Sequence, residues 1–128
     1  MSARILVVDD LEANRRLLEA KLSAEYYEVI TATRGEEGVQ RAKREKLDLI
    51  LLDVMMPGID GFETCRRLKA QAETRHVPVI IVTALDDRQS KVRALQAGAE
   101  DFLTKPITLE ALTVCLAYQR VRLENGAA

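Results

Sequence analysis

Short apolar runs alternate with longer amphipathic segments from one end of the chain to the other. That alternation is the signature of repeated strand–helix units building a parallel sheet. Strands are expected at 4–8, 28–32, 48–52, 78–82 and 101–104, and helices at 11–24, 35–45, 61–70, 87–97 and 108–122. Thr33 with Glu36, and Asp60 with Glu63, have capping-box spacing at two helix starts. Gly98 follows Val92, Leu95 and Ala97 where a left-handed helix stop is needed, which a residue without a β-carbon adopts freely. No internal repeat, low-complexity segment or Pro/Gly/Ser-rich linker divides the chain. One domain over 1–123 is therefore expected, followed by a tail, 124–128, that is a natural end or a linker stub.

Composition narrows the class. A chain of 128 residues with 48% hydrophobic and 30% charged residues buries an ordinary core without staples and reads as globular rather than disordered. The net charge of −1 gives no bulk electrostatic reason for nucleic-acid or membrane binding. Met1-Ser2-Ala3-Arg4 leads straight into the first strand without a signal-peptide stretch, and no run approaches membrane-spanning length, so the expected address is cytoplasmic. Cys65 and Cys115 have neither metal nor redox spacing and read as free thiols packed as small hydrophobes.

The chemistry lies at the strand ends. Asp9 and Asp10 end the run Ile5-Leu6-Val7-Val8, and Asp53 ends Leu49-Ile50-Leu51-Leu52. Thr83 follows the fourth strand and Lys105 the fifth. Parallel strands deliver all of these to one edge, where α/β sheets bind ligands. Three gathered acids repel one another unless a cation neutralises them or one takes up a proton, and Mg²⁺ suits a partly hydrated oxygen site. An aspartate nucleophile, a metal, a lysine and a threonine hydroxyl together form a phosphoryl-transfer kit. No Gly-x-x-x-x-Gly-Lys loop or Gly-rich dinucleotide turn accompanies them, so the site reads as one that accepts a phosphoryl group rather than holding a nucleotide.

Val7-Val8-Asp9-Asp10, the stretch from Leu51 to Gly61, Val82-Thr83-Ala84 and Lys105-Pro106 resemble, in order and over essentially the whole chain, the signatures of bacterial response-regulator receiver domains. The resemblance implies an α/β, doubly wound (βα)5 fold of the flavodoxin-like, CheY-like type, with a five-stranded parallel sheet in the order 2-1-3-4-5. It implies Asp53 as phosphoacceptor, with Mg²⁺, or Mn²⁺ in its place, bound by Asp10 directly, Asp9 largely through water, Asp53, and the backbone carbonyl of Met55. Lys105 would pair with Asp53 and then with the phosphoryl oxygens, and Lys105-Pro106 would be a cis peptide. Thr83 would swing toward the phosphoryl group, and Phe102, at the position of the family's aromatic switch, would turn into the space it vacates.

The implied donor is a phosphohistidine on a sensor histidine kinase or a histidine phosphotransfer protein. His76, before a strand in Thr74-Arg75-His76-Val77-Pro78, is accordingly read as a loop residue. The surface of the fourth helix, fifth strand and fifth helix carries Arg88, Lys91, Arg93, Glu100, Asp101, Arg120 and Arg122, and receivers use it for phosphorylation-dependent homodimers or partner docking. Leu18-Glu19-Ala20-Lys21-Leu22, the stretch from Ala24 to Val29 and Thr83-Ala84-Leu85-Asp86 are similar to the N-terminal receiver of PleD-like diguanylate cyclase regulators. No cyclase residues are present, and a stand-alone adaptor is the alternative.

Two rival readings make different demands. A phosphohydrolase with an aspartate nucleophile generally places a second acid two residues after it, where this chain has Met55. An interaction module with a decayed site would have lost an acid, the threonine or the lysine, and all are present. The expected activity is that of a signalling receiver that catalyses only its own phosphorylation and slow dephosphorylation.

Overall fold

The computed structural model describes residues 3–124, with side chains as far as residue 121. Strands and helices alternate as β1 (Arg4–Val8), α1 (Glu12–Ala24), β2 (Glu28–Ala32), α2 (Gly35–Arg44), β3 (Leu49–Asp53), α3 (Gly61–Ala70), β4 (Val79–Thr83), α4 (Arg88–Gln96), β5 (Asp101–Thr104) and α5 (Leu109–Glu124). The five strands form one parallel sheet in the order β2-β1-β3-β4-β5. Helix α5 reaches Glu124, the last residue described and the first of the tail expected from the sequence. The remainder of that tail, 125–128, and the side chain of Arg122 lie outside the described residues.

The apolar runs have no wet side because helices cover both faces. Leu6, Val8, Ile50, Leu52, Val79 and Ile81 pack on one face with Val39 of α2, Phe62 and Leu68 of α3, and Ala94 of α4. Their sequence neighbours Ile5, Val7, Leu49, Leu51, Ile80 and Val82 point the other way, onto Leu18 and Leu22 of α1 and Leu112 and Cys115 of α5. A period of two along each strand thus serves two cores at once.

β3 and β4 each lie one residue later than the apolar pattern predicts. Asp53 pairs in register with Val82, and Thr83 with Thr104, since a backbone ladder continues through a polar residue. At the other end Pro78 has no N–H to contribute, and β4 begins at Val79. The candidate site residues Asp53 and Thr83 are therefore the last residues of strands rather than the first of loops.

The caps divide. Asp60 Oδ1 accepts from Glu63 N at 2.8 Å, while the Glu63 carboxylate turns to Arg66 and Arg67, so only half of that box forms. At α2 the pairing is displaced by one residue. Arg34 is the N-cap, and Glu37, not Glu36, reaches back to accept from the Thr33 backbone N–H at 2.6 Å and its hydroxyl at 3.1 Å. Gly98 follows α4 with φ +95°, as a helix stop. Gly61 is fixed by contact: a β-carbon there would strike the Asp53 carbonyl oxygen, so only glycine lets α3 start against the end of β3.

Candidate phosphoryl and metal site

The strand ends converge as parallel topology requires. Carboxylate oxygens of Asp9, Asp10 and Asp53 lie within 4.8 Å of one another. Asp9 and Asp53 are buried, at 2% and 6% exposure, and Asp10 is half-buried. Lys105 Nζ bridges the two buried acids, 3.2 Å from Asp9 Oδ2 and 3.2 Å from Asp53 Oδ1. One ammonium faces three carboxylates, and the local excess of negative charge is the electrostatic fact that defines the site.

Burial, followed by the repulsion of Asp9, raises the Asp53 carboxyl above its ordinary range, against the pull of Lys105. For Lys105, burial favours the neutral amine, yet the charges of Asp53 and Asp9 prevail and raise it, holding the ammonium. The donor set is entirely oxygen, which fits a hard divalent cation, and such a cation would remove the repulsion that burial amplifies.

Asp9 is held from every side. Its N–H donates to Ala32 O at 3.1 Å, its Oδ1 accepts from Leu11 N at 2.9 Å, and its carbonyl accepts from Arg15 Nη1 at 2.8 Å. The sequence reading did not single out Arg15. Its signal was a cation near the N-terminal end of a helix, where the macrodipole disfavours positive charge and a local acceptor is implied.

Thr83 is buried at the same edge, and its hydroxyl accepts from Leu85 N at 3.2 Å, while its carbonyl accepts from Lys105 N at 2.8 Å. Phe102 is partly buried and packs on the core face shared by α2, α3 and α4. Met55, two residues past Asp53, is 67% exposed, and Leu85, two past Thr83, is 37% exposed. The Lys105–Pro106 peptide is cis.

The remaining candidates fall away from the chemistry. His76 is exposed in the segment between α3 and β4. Cys65 and Cys115 are buried free thiols, pushed up by burial to about 11 and about 12, which keeps both protonated and unreactive near neutral pH. Among the described residues, no helix is long and apolar enough to cross a membrane.

Comparison with known proteins gives concordant matches. Residues 5–117 match the family described as the response regulator receiver domain. The response regulator PleD of Caulobacter vibrioides is 64% identical over 107 residues, 84% of this chain and 24% of PleD. The chain thus spans about a quarter of that relative's length. Protein PilH of Pseudomonas aeruginosa is 44% identical over 110 residues, 86% of this chain and 91% of PilH. Among solved structures, the receiver domain of the sensor histidine kinase PA1611 from Pseudomonas aeruginosa PAO1 has a magnesium ion coordinated in its active site cleft. It matches with TM-score 0.86 and 34% identity, over 93% of this chain and 98% of that one.

Proposed function

The chain belongs to the response regulator receiver domain family, the phosphoacceptor of two-component systems, and from that premise we propose which residues carry the reaction. Asp53 is the acceptor. The observation that supports it best is the Lys105 ammonium, 3.2 Å from both Asp53 and Asp9 at an edge where three carboxylates gather. Asp9, largely through water, Asp10, Asp53 and the Met55 carbonyl would hold Mg²⁺, or Mn²⁺ in its place; the magnesium in the PA1611 receiver supports the choice of metal. When bound, the metal neutralises charge on the carboxylates and on the incoming phosphoryl oxygens.

A carboxylate oxygen of Asp53 attacks phosphorus as the phosphorus–nitrogen bond of a phosphohistidine breaks. The imidazole leaves with the bonding pair, and an acyl phosphate remains on Asp53. Lys105 follows the charge from the carboxylate to the phosphoryl oxygens. Thr83 gives up its contact with the Leu85 N–H to donate its hydroxyl to the same group, and Phe102 moves into the space released. Phenylalanine has no hydroxyl to hold that position, so packing alone couples the two.

The donor is a sensor histidine kinase or a histidine phosphotransfer protein, and the receiver, itself cytoplasmic, catalyses only its own phosphorylation and slow dephosphorylation. The output surface is α4, β5 and α5, where Val92, Leu95 and Val114 are exposed beside the charged residues, and it docks a second copy or an output partner. Nucleic-acid contact and cyclic-di-GMP synthesis are not ascribed to these residues.

The test is incubation with Mg²⁺ and a small acyl phosphate, read by intact mass. Wild type gains one phosphoryl group, and Asp53→Asn, or chelation of the metal, removes the gain. Equal labelling of the Asp53→Asn variant contradicts the assignment.

A further inference from the structure

Arg15 stands beside the acid cluster, and among the described residues it forms no ion pair. Its Nη1 donates instead to the backbone carbonyl of Asp9, 2.8 Å away and partly shielded from water. The Arg15 charge also reaches Glu37, whose carboxyl is held low first by the Thr33 backbone N–H and, among smaller influences, by Arg15. One side chain of α1 thereby ties itself to the turn after β1.

The acceptor it chooses is informative. The Asp9 carbonyl belongs to the peptide that joins Asp9 to Asp10, and a planar peptide pinned at its oxygen fixes the direction in which the Asp10 backbone leaves. The N–H side of Asp9 is already tied to Ala32, and its side chain to Leu11 and Lys105. Half-buried Asp10, in contrast, has its side chain pointed into the carboxylate cluster, and the guanidinium is the restraint on the peptide before it.

We propose that Arg15 is a positioning residue for the metal: by pinning the Asp9–Asp10 peptide it presets Asp10 for a divalent cation, in the way outer hydrogen bonds orient ligands elsewhere. This inference rests on the reading of the acid cluster as a Mg²⁺ site. Its sign is diagnostic. By Coulomb's law alone, deleting a cation near three carboxylates would tighten Mg²⁺ binding, whereas loss of positioning weakens it.

Calorimetric titration of the full chain with MgCl₂ separates the possibilities, using wild type, Arg15→Gln, Arg15→Lys and Asp10→Asn, with each variant's melting temperature recorded in chelator. Wild type binds, Asp10→Asn does not, Arg15→Gln binds about tenfold more weakly with its chelator melting temperature unchanged, and Arg15→Lys recovers part of the loss. Unchanged or tighter binding by Arg15→Gln overturns the proposal, as does weaker binding matched by a drop in chelator stability. If wild type and Asp10→Asn bind Mg²⁺ alike, the metal reading itself fails, and the role of Arg15 fails with it.

Discussion

The two ends of the β-strands hold buried charge in opposite ways. Where β4 and β5 begin, Lys69 and Glu100 meet at 2.8 Å with side chains 15% and 22% exposed. The ammonium also donates to the carbonyls of Arg75 and Val77, and the second Glu100 oxygen accepts from Val79 N, so the charges cancel and the polar groups are paired. Where the strands end, one lysine faces Asp9, Asp10 and Asp53. The first arrangement is complete as it stands and clamps α3 to the entries of β4 and β5. The second is stable only at the expense of repulsion, and a structure keeps such an excess where a ligand will answer it.

Breaking the balanced end tests the contrast most severely. Glu100→Ala strands a largely buried ammonium without its carboxylate and leaves the Val79 N–H without its acceptor, which costs about 2–3 kcal/mol. Urea unfolding at neutral pH measures the loss, and a change below about 0.5 kcal/mol, the range of ordinary surface substitutions, would remove the clamp from the account.

The next effect is kinetic and belongs to the acid edge. Hydrolysis of phosphorylated Asp53 needs a water aligned for in-line attack, and the exposed apolar side chains of Met55 and Leu85, two residues past Asp53 and Thr83, have no hydrogen-bonding group to orient it. The phosphoryl group is therefore expected to be long-lived for a receiver. Met55→Asn combined with Leu85→Glu is expected to speed phosphate release by about one to two factors of ten, each ~1.4 kcal/mol of barrier being tenfold in rate. Phosphate release after donor removal reads this out, and equal rates in the two proteins would refute it.

The smallest effect has the opposite sign to the first. Without metal, Asp53→Asn removes a buried charge that Lys105 only partly offsets, while Asp9 keeps the ammonium paired, so the variant is expected to be more stable by about 1 kcal/mol near neutral pH. Because the folded carboxyl is raised above 3.8, the folded state holds its proton more tightly than the unfolded one. The penalty is then full above the raised value and disappears as pH falls through it toward 3.8. Thermal melts in chelator from pH 7 downward follow the gap between the proteins; Mg²⁺ narrows it by favouring the wild type. A variant less stable than wild type at pH 7 in chelator would show that Asp53 is as well satisfied as Glu100.

These contrasts explain what could be read without coordinates. Continuous apolar runs ending in acids marked both the sheet and the edge on which Asp9, Asp10 and Asp53 meet, because parallel strands leave their last residues no other destination. Strand limits slipped by one at β3 and β4, since hydrophobicity follows side chains while the ladder follows backbone pairing. The Glu37 cap and the Arg15 contact were hidden for a different reason. Each depends on where a long side chain swings, and the spacing of Thr33 and Glu36 satisfied the capping pattern equally well. The Lys69–Glu100 clamp joins residues 31 positions apart, and no local pattern announces such a pair.

The central claim is that the unbalanced edge exists to receive a phosphoryl group on Asp53. Treating the phosphorylated protein with borohydride reduces an acyl phosphate to the corresponding alcohol, which marks the acceptor for peptide sequencing by mass spectrometry. The mark is expected on Asp53, with Asp9 and Asp10 unmodified and the signal absent when Mg²⁺ is chelated during labelling. A mark on Asp9, on Asp10 or on a residue away from this edge, with Asp53 intact, would contradict the account.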